Sequence, residues 1–95
     1  MIVVTLYSRP ECHLCDEMKA VVERVAQSLS RAIPLTVDVV DVSADPQLEG
    51  RYGVYIPVLL IAGKKAAKHR VSEEELRRIL IARAGEAGGA GQAGG

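Results

Sequence analysis

A chain of 95 residues has room for one hydrophobic core and not for a second. With 48% hydrophobic and 25% charged residues it has the make-up of an ordinary globular domain, which excludes disorder of the chain as a whole. Its 12 basic and 12 acidic residues cancel, so no net field draws it to nucleic acid or to an anionic membrane, and 3% aromatic content is too little for a base-stacking platform.

Ile2-Val3-Val4-Thr5-Leu6-Tyr7 is rich in β-branched residues and ends at Ser8-Arg9-Pro10, which predicts a buried strand followed by a loop. Cys12 stands at the end of that loop. Leu14, Met18, Val21, Val22, Val25 and Leu29 then recur at spacings of three and four, an apolar stripe on a helix of about four turns. Glu17, Lys19, Glu23, Arg24 and Gln27 fall mainly on its wet face. Ile33 to Val42 alternates and predicts a second strand. Ser43-Ala44-Asp45-Pro46 is a helix start, a capping residue followed by proline in the first turn, and the short helix ends around Arg51–Gly53. Val58-Leu59-Leu60-Ile61 is apolar throughout and predicts a central third strand.

Ala62-Gly63-Lys64-Lys65 is a hairpin signal, with glycine supplying a positive φ, and Ala66 to Val71 predicts a fourth strand antiparallel to the third. Lys64, Lys65 and Lys68 read as a solvated hairpin tip. Ser72-Glu73-Glu74-Glu75 matches a capping box, and Leu76, Ile79 and Leu80 form the inward face of a last helix. Beyond Ala84 the residues are Gly, Ala, Glu and Gln only, which predicts a flexible tail over 85–95 behind a domain of residues 1–84. The expected order is β-α-β-α-β-β-α. It gives an α/β fold with a four-stranded mixed sheet flanked by three helices.

Met1 leads into apolar residues without a basic leader or a cleavage site, and no apolar run approaches the ~20 residues that span a bilayer. The expectation is a cytoplasmic monomer with no membrane and no nucleic-acid partner. The 2 cysteines are too few for a disulfide scaffold, and in a reducing compartment such a pair is reactive or metal-binding rather than structural.

Cys12 and Cys15, three apart at the start of a helix, occupy neighbouring positions on one face, within reach of a bridge. Cys12, just before the helix, faces the unpaired N–H groups of the first turn and the positive end of the macrodipole. Both favour thiolate: a free thiol has a pKa near ~8.5, and helix-start CxxC cysteines fall to roughly 3.5–7.5. Cys12 is therefore the expected nucleophile and Cys15 the resolving thiol. Arg9 and His13 add positive potential beside Cys12, whereas Glu11 and Asp16 oppose it. Asp38, Asp41 and Asp45 read as strand-end and capping residues, and Met18 as core. Zinc needs four ligands, and only Cys12, Cys15, His13 and distant His69 are soft candidates, so no metal site is expected.

Tyr7-Ser8-Arg9-Pro10-Glu11-Cys12-His13-Leu14-Cys15 resembles the active-site segment of the glutaredoxins, within the thioredoxin-like fold. Leu48 to Pro57 is similar to the family's approach to its active-site proline, and the likeness covers residues 2 to about 83. The resemblance implies a thiol–disulfide oxidoreductase passing electrons through a redox-active disulfide. It implies that Pro57 is cis and that Ile56 offers its backbone to substrate, as an added strand would. Arg9 and His13 are the further expected substrate contacts. Protein disulfides or glutathione would be the substrates, glutathione or a dithiol protein the reductant, and no tightly bound cofactor is implied.

The sequence departs from the pattern in three places. His13 replaces the proline usual after the first cysteine, His69-Arg70-Val71-Ser72-Glu73 replaces a Gly-Gly pair and acid that help hold glutathione, and Leu6 stands where thioredoxins bury an acid. Two other readings fit the same motif. One is an iron–sulfur cluster carrier or scaffold, and the other a non-enzymatic peptide-binding module of the same fold.

Overall fold

The structure is a computed structural model that describes the backbone of residues 1–93 and the side chains of residues 1–85. The β-branched run at the start forms β1, Ile2–Ser8. It pairs in parallel with β2, Leu35–Asp41, from Ile2 opposite Leu35 to Ser8 opposite Asp41. On its other side it pairs antiparallel with β3, Val58–Ile61, with Tyr7 opposite Val58 and Val4 opposite Ile61. β4, Lys64–Lys68, is antiparallel to β3 and completes the order β2-β1-β3-β4. All four residues of β3 are buried, as an inner strand without alternation requires.

One face of the sheet carries the core. Val4, Leu6, Leu59 and Ile61 point to it and meet Met18, Val22, Val25 and Leu29 of α1, His13–Leu29. Leu76 and Leu80 join them from α3, Glu73–Ala93. Each such aliphatic side chain contributes about 1.5–3 kcal/mol by leaving water. The two helices are further tied by Arg24 Nε donating to Glu73 Oε2 at 2.7 Å. The expected capping box starts α3: Glu75 N donates to Ser72 Oγ at 3.0 Å and Ser72 N to Glu75 Oε1 at 3.2 Å. Met18 is core, as expected.

On the opposite face lies α2, Pro46–Tyr52, which buries none of its residues. Asp45 caps it by accepting from Gln47 N at 2.9 Å, with Pro46 in the first turn. The helix meets the sheet through Tyr52, whose ring stacks on Tyr7 with centroids 4.5 Å apart.

Several boundaries differ from expectation. The second strand begins at Leu35 and not Ile33, because Ile33 N donates to Leu29 O at 2.7 Å and so still closes the end of α1. It ends before Val42, which enters a short 3-10 turn over Val42–Ala44, with Asp41 accepting from Ser43 N at 2.9 Å. The fourth strand is Lys64–Lys68 and not Ala66–Val71. Ala62 and Gly63 take φ of 53° and 81°, the primed geometry of a two-residue hairpin turn, so pairing resumes at Lys64. His69, at φ 67°, ends the strand. The lysines therefore lie along the strand and not at a hairpin tip.

Over residues 85–93, expected as part of a flexible tail, the backbone continues α3 to Ala93. No proline intervenes to stop it, although Gly85, Gly88, Gly89 and Gly91 each disfavour helix, and Leu80 is the last fully buried residue among the described side chains. The remainder of that tail, residues 94–95, lies outside the described residues.

Candidate active site

The parallel pairing of β1 sends the chain out of the sheet at Ser8, and the loop 9–12 must reverse it into α1. Glu11 makes that turn at φ 60°, a left-handed conformation costly for a residue with a Cβ. Cys12 follows as the N-cap of α1, extended at φ −106° and ψ 108°. Its Sγ accepts the backbone N–H of Cys15 at 3.1 Å, the place a serine or aspartate oxygen takes at other helix starts. Cys12 and Cys15 are joined as a disulfide, with Cα atoms 5.2 Å apart. Cys15 lies on the inner face of α1 and is only 2% exposed, whereas Cys12 is half-buried and open to one side. The two sulfurs thus differ in access, and the outer one sits where first-turn amides and the helix dipole favour negative charge.

The second element of the site is the Ile56–Pro57 peptide, which is cis, as the resemblance implied. Because Tyr7 pairs with Val58, the start of β3 lies at the same end of the sheet as the loop that delivers Cys12. Pro57 is buried and Ile56 half-buried. The carbonyl of Pro57 accepts from His69 N at 2.8 Å, which ties the segment to the end of β4. Ile56 precedes β3 and stands outside the sheet ladder.

Arg9, expected at the substrate, has its guanidinium engaged within the protein. Its Nη2 donates to Gly53 O at 3.0 Å and lies 3.5 Å from Glu49 Oε2. It joins the loop before Cys12 to the connection that leads into Ile56–Pro57, so the two halves of the site are held against each other. Gly53 leaves the necessary space: a Cβ there would stand 2.5 Å from Glu49 O and 3.1 Å from Arg9 Nη2. Nothing local in the sequence signals a contact between residues 44 positions apart. His13 is a solvated helix-start residue, 90% exposed at its side chain, with Nε2 3.2 Å from Glu17 Oε2 one turn on. Leu6, at the position where the resemblance implied an acid in thioredoxins, is fully buried and lines a pocket with Cys15. Among the described residues no cluster of three or more His, Cys, Asp or Glu could hold a metal ion.

A family profile described as glutaredoxin-like domain (DUF836) matches residues 3–81, most of the chain. The chain belongs to the glutaredoxin-like domain family. Among solved structures it resembles the X-ray structure of the Northeast Structural Genomics target protein XcR50 from X. campestris. That match has 28% identity and a TM-score of 0.68, and covers 83% of this chain and 96% of that one. It also resembles a mutant thioredoxin from Halobacterium salinarum NRC-1, at 23% identity and a TM-score of 0.60, over 85% of this chain and 73% of that one. The solution structure of protein Ne2328 from Nitrosomonas europaea matches at 22% identity and a TM-score of 0.63, over 83% and 91%. No curated protein matches the chain. The fold is thioredoxin-like, and membership of the glutaredoxin-like family together with a bridged CxxC pair supports a redox function. No helix of the described residues is long and apolar enough to cross a membrane.

Proposed function

We propose that the protein is a thiol–disulfide oxidoreductase of glutaredoxin-like type, with Cys12 as nucleophile and Cys15 as resolving thiol. The observation that carries this reading is the N-cap position of Cys12, its sulfur accepting the Cys15 amide at 3.1 Å while Cys15 itself is buried. In the reduced protein the same amide and the helix dipole favour a Cys12 thiolate.

Cys12 thiolate attacks one sulfur of a substrate disulfide. A Cys12–substrate S–S bond forms, the substrate S–S bond breaks, and the first substrate thiolate leaves and takes a proton. Cys15 then loses its proton and attacks Cys12 Sγ. The Cys12–Cys15 bond forms, the mixed disulfide breaks and the second substrate thiolate leaves. The substrate gains two electrons and the protein loses them. Two glutathione molecules, or one dithiol protein, return the electrons by the reverse exchange. Ile56 would offer backbone groups to the substrate chain beside Pro57, with Arg9 positioning the two loops. Protein disulfides or glutathione are the proposed substrates. The reading needs no resident cofactor and suits the cytoplasm, where a pair of cysteines serves turnover rather than structure.

The test is Cys15→Ser in the reduced protein, mixed with 2-hydroxyethyl disulfide and with a glutathione-capped peptide. A mass adduct on Cys12, stable until dithiothreitol is added, is expected. An adduct with neither disulfide would overturn the assigned roles.

A further inference from the structure

We propose that the groove on the α2 face of the sheet, between Tyr55 and the lysines of β4, is a docking subsite for acidic residues flanking the disulfide of a polypeptide substrate. The proposal rests on the redox reading above and adds the class of partner. The groove holds about 420 Å³ and is lined by Tyr52, Tyr55, Val58, Lys65 and Lys68, together with the Ala66–Ala67 stretch between the lysines.

Its charge comes from an irregularity in β4. Residues three apart in a strand ordinarily point to opposite faces. Here Lys65 pairs with Leu60 and Lys68 with Val58, while the register shifts between Leu59 and Leu60. The extra residue in Ala66–Ala67 forms a β-bulge, and bulges re-aim the side chains beyond them. Lys65 and Lys68 consequently share one face, the face of Val58, Leu60 and Tyr7. An unbroken strand would have sent one of them toward α3.

Neither ammonium is neutralised. The ion pairs of the described residues join Arg9 to Glu49, His13 to Glu17 and Arg24 to Glu73, and none includes a lysine. Lys68 Nζ lies 5.2 Å from the centroid of the Tyr55 ring. The chain has 3 tyrosines and no Phe or Trp, and all three gather here: Tyr52 and Tyr55 line the groove and Tyr7 supports Tyr52 by stacking. Tyrosine offers broad contact to a peptide at small conformational cost. In a chain of net charge zero, two unpaired lysines on an aromatic shelf make a local positive site, and acidic side chains complement it.

The groove also adjoins the segment expected to receive substrate. Tyr55 immediately precedes Ile56, Lys68 pairs with the residue after Pro57, and His69 N donates to Pro57 O at 2.8 Å. A chain lying along Ile56 would pass the lysines within a few residues, each spanning about 3.3 Å. Capture is by side chains and not by pairing along β4, because Arg83 donates to Lys64 O at 3.2 Å and to Lys65 O at 2.9 Å and so occupies carbonyls of that strand.

The experiment compares two glutathione-capped cysteine peptides of equal length, one with Asp and Glu on both sides of the cysteine, the other with Asn and Gln. Reduction of each by the full-length protein is measured as kcat/KM, beside reduction of 2-hydroxyethyl disulfide. Binding of Cys→Ser versions of both peptides is measured separately by fluorescence anisotropy, which does not depend on turnover. At low ionic strength the acidic peptide is expected to bind and react roughly threefold to tenfold better, the range that two exposed ion pairs allow. Added salt should shrink the preference. The double variant Lys65→Glu with Lys68→Glu should abolish or reverse it, Lys65→Gln with Lys68→Gln should abolish it, and both should leave 2-hydroxyethyl disulfide reduction within twofold. Equal binding of the two peptides, or a preference that survives both double variants, would overturn the proposal. Absence of 2-hydroxyethyl disulfide reduction with the acidic binding preference intact would instead overturn the redox reading and leave the groove.

Discussion

The two faces of the sheet are built from the same strands and are covered unequally. Toward α1 and α3, Val4, Leu6, Leu59 and Ile61 are almost completely removed from water. Toward α2, Val58 and Leu60 of the inner strand are buried too, but Val3 stays 42% exposed and the covering helix buries nothing of its own. One face holds the fold together, and the other is left open beside the reactive loops. Stability and recognition are therefore largely separable here, because most of the side chains that close one face are not those that line the groove on the other.

The largest expected stability effect is on the closed face. Leu6→Ala deletes most of a fully buried side chain and should cost about 2–5 kcal/mol in denaturant unfolding. Gly53→Ala acts at the joint between the reactive loops. Its Cβ would meet Glu49 O at 2.5 Å, so α2 or the Arg9 contact must shift. An overpacking cost of about 1–3 kcal/mol is expected, with slower reduction of 2-hydroxyethyl disulfide. Unchanged exchange would mean that the joint does not serve the site. Tyr52→Ala, on the open face, removes a half-buried ring stacked on Tyr7 and should cost about 1–2 kcal/mol in the same unfolding measurement, from the stacked pair and part of a ring's burial. If it proved as damaging as Leu6→Ala, the contrast between the faces would fail.

Most of the fold was legible because its signals are local and periodic. The stripe from Met18 to Leu29 could only be one face of a helix, the all-apolar Val58–Ile61 had to be an inner strand, and Ser72 with Glu75 announced the start of α3. The cysteines were legible for the same reason, since spacing and position before a helical stripe are both written in sequence. Where expectation failed, the deciding interaction was either a turn of unexpected tightness or a contact between distant positions. Ala62 adopts a left-handed conformation that its identity does not advertise, and this moved β4 by two residues. The bulge at Ala66–Ala67 follows from register against β3, and the reach of Arg9 to Gly53 exists only once β1 and α2 are side by side. The cis peptide before Val58 was expected from likeness to a family and not from anything Ile56 and Pro57 show by themselves.

The bridge between Cys12 and Cys15 closes a ring with a sequence separation of 3. Cross-links restrain an unfolded chain in proportion to the logarithm of the loop they close, and a loop this small lies below the ~3 kcal/mol expected at 15 residues. Since α1, the sheet and α3 already fix the positions of both residues, opening the ring leaves the scaffold intact. Repeated two-electron turnover of the proposed kind would thus leave the architecture the same.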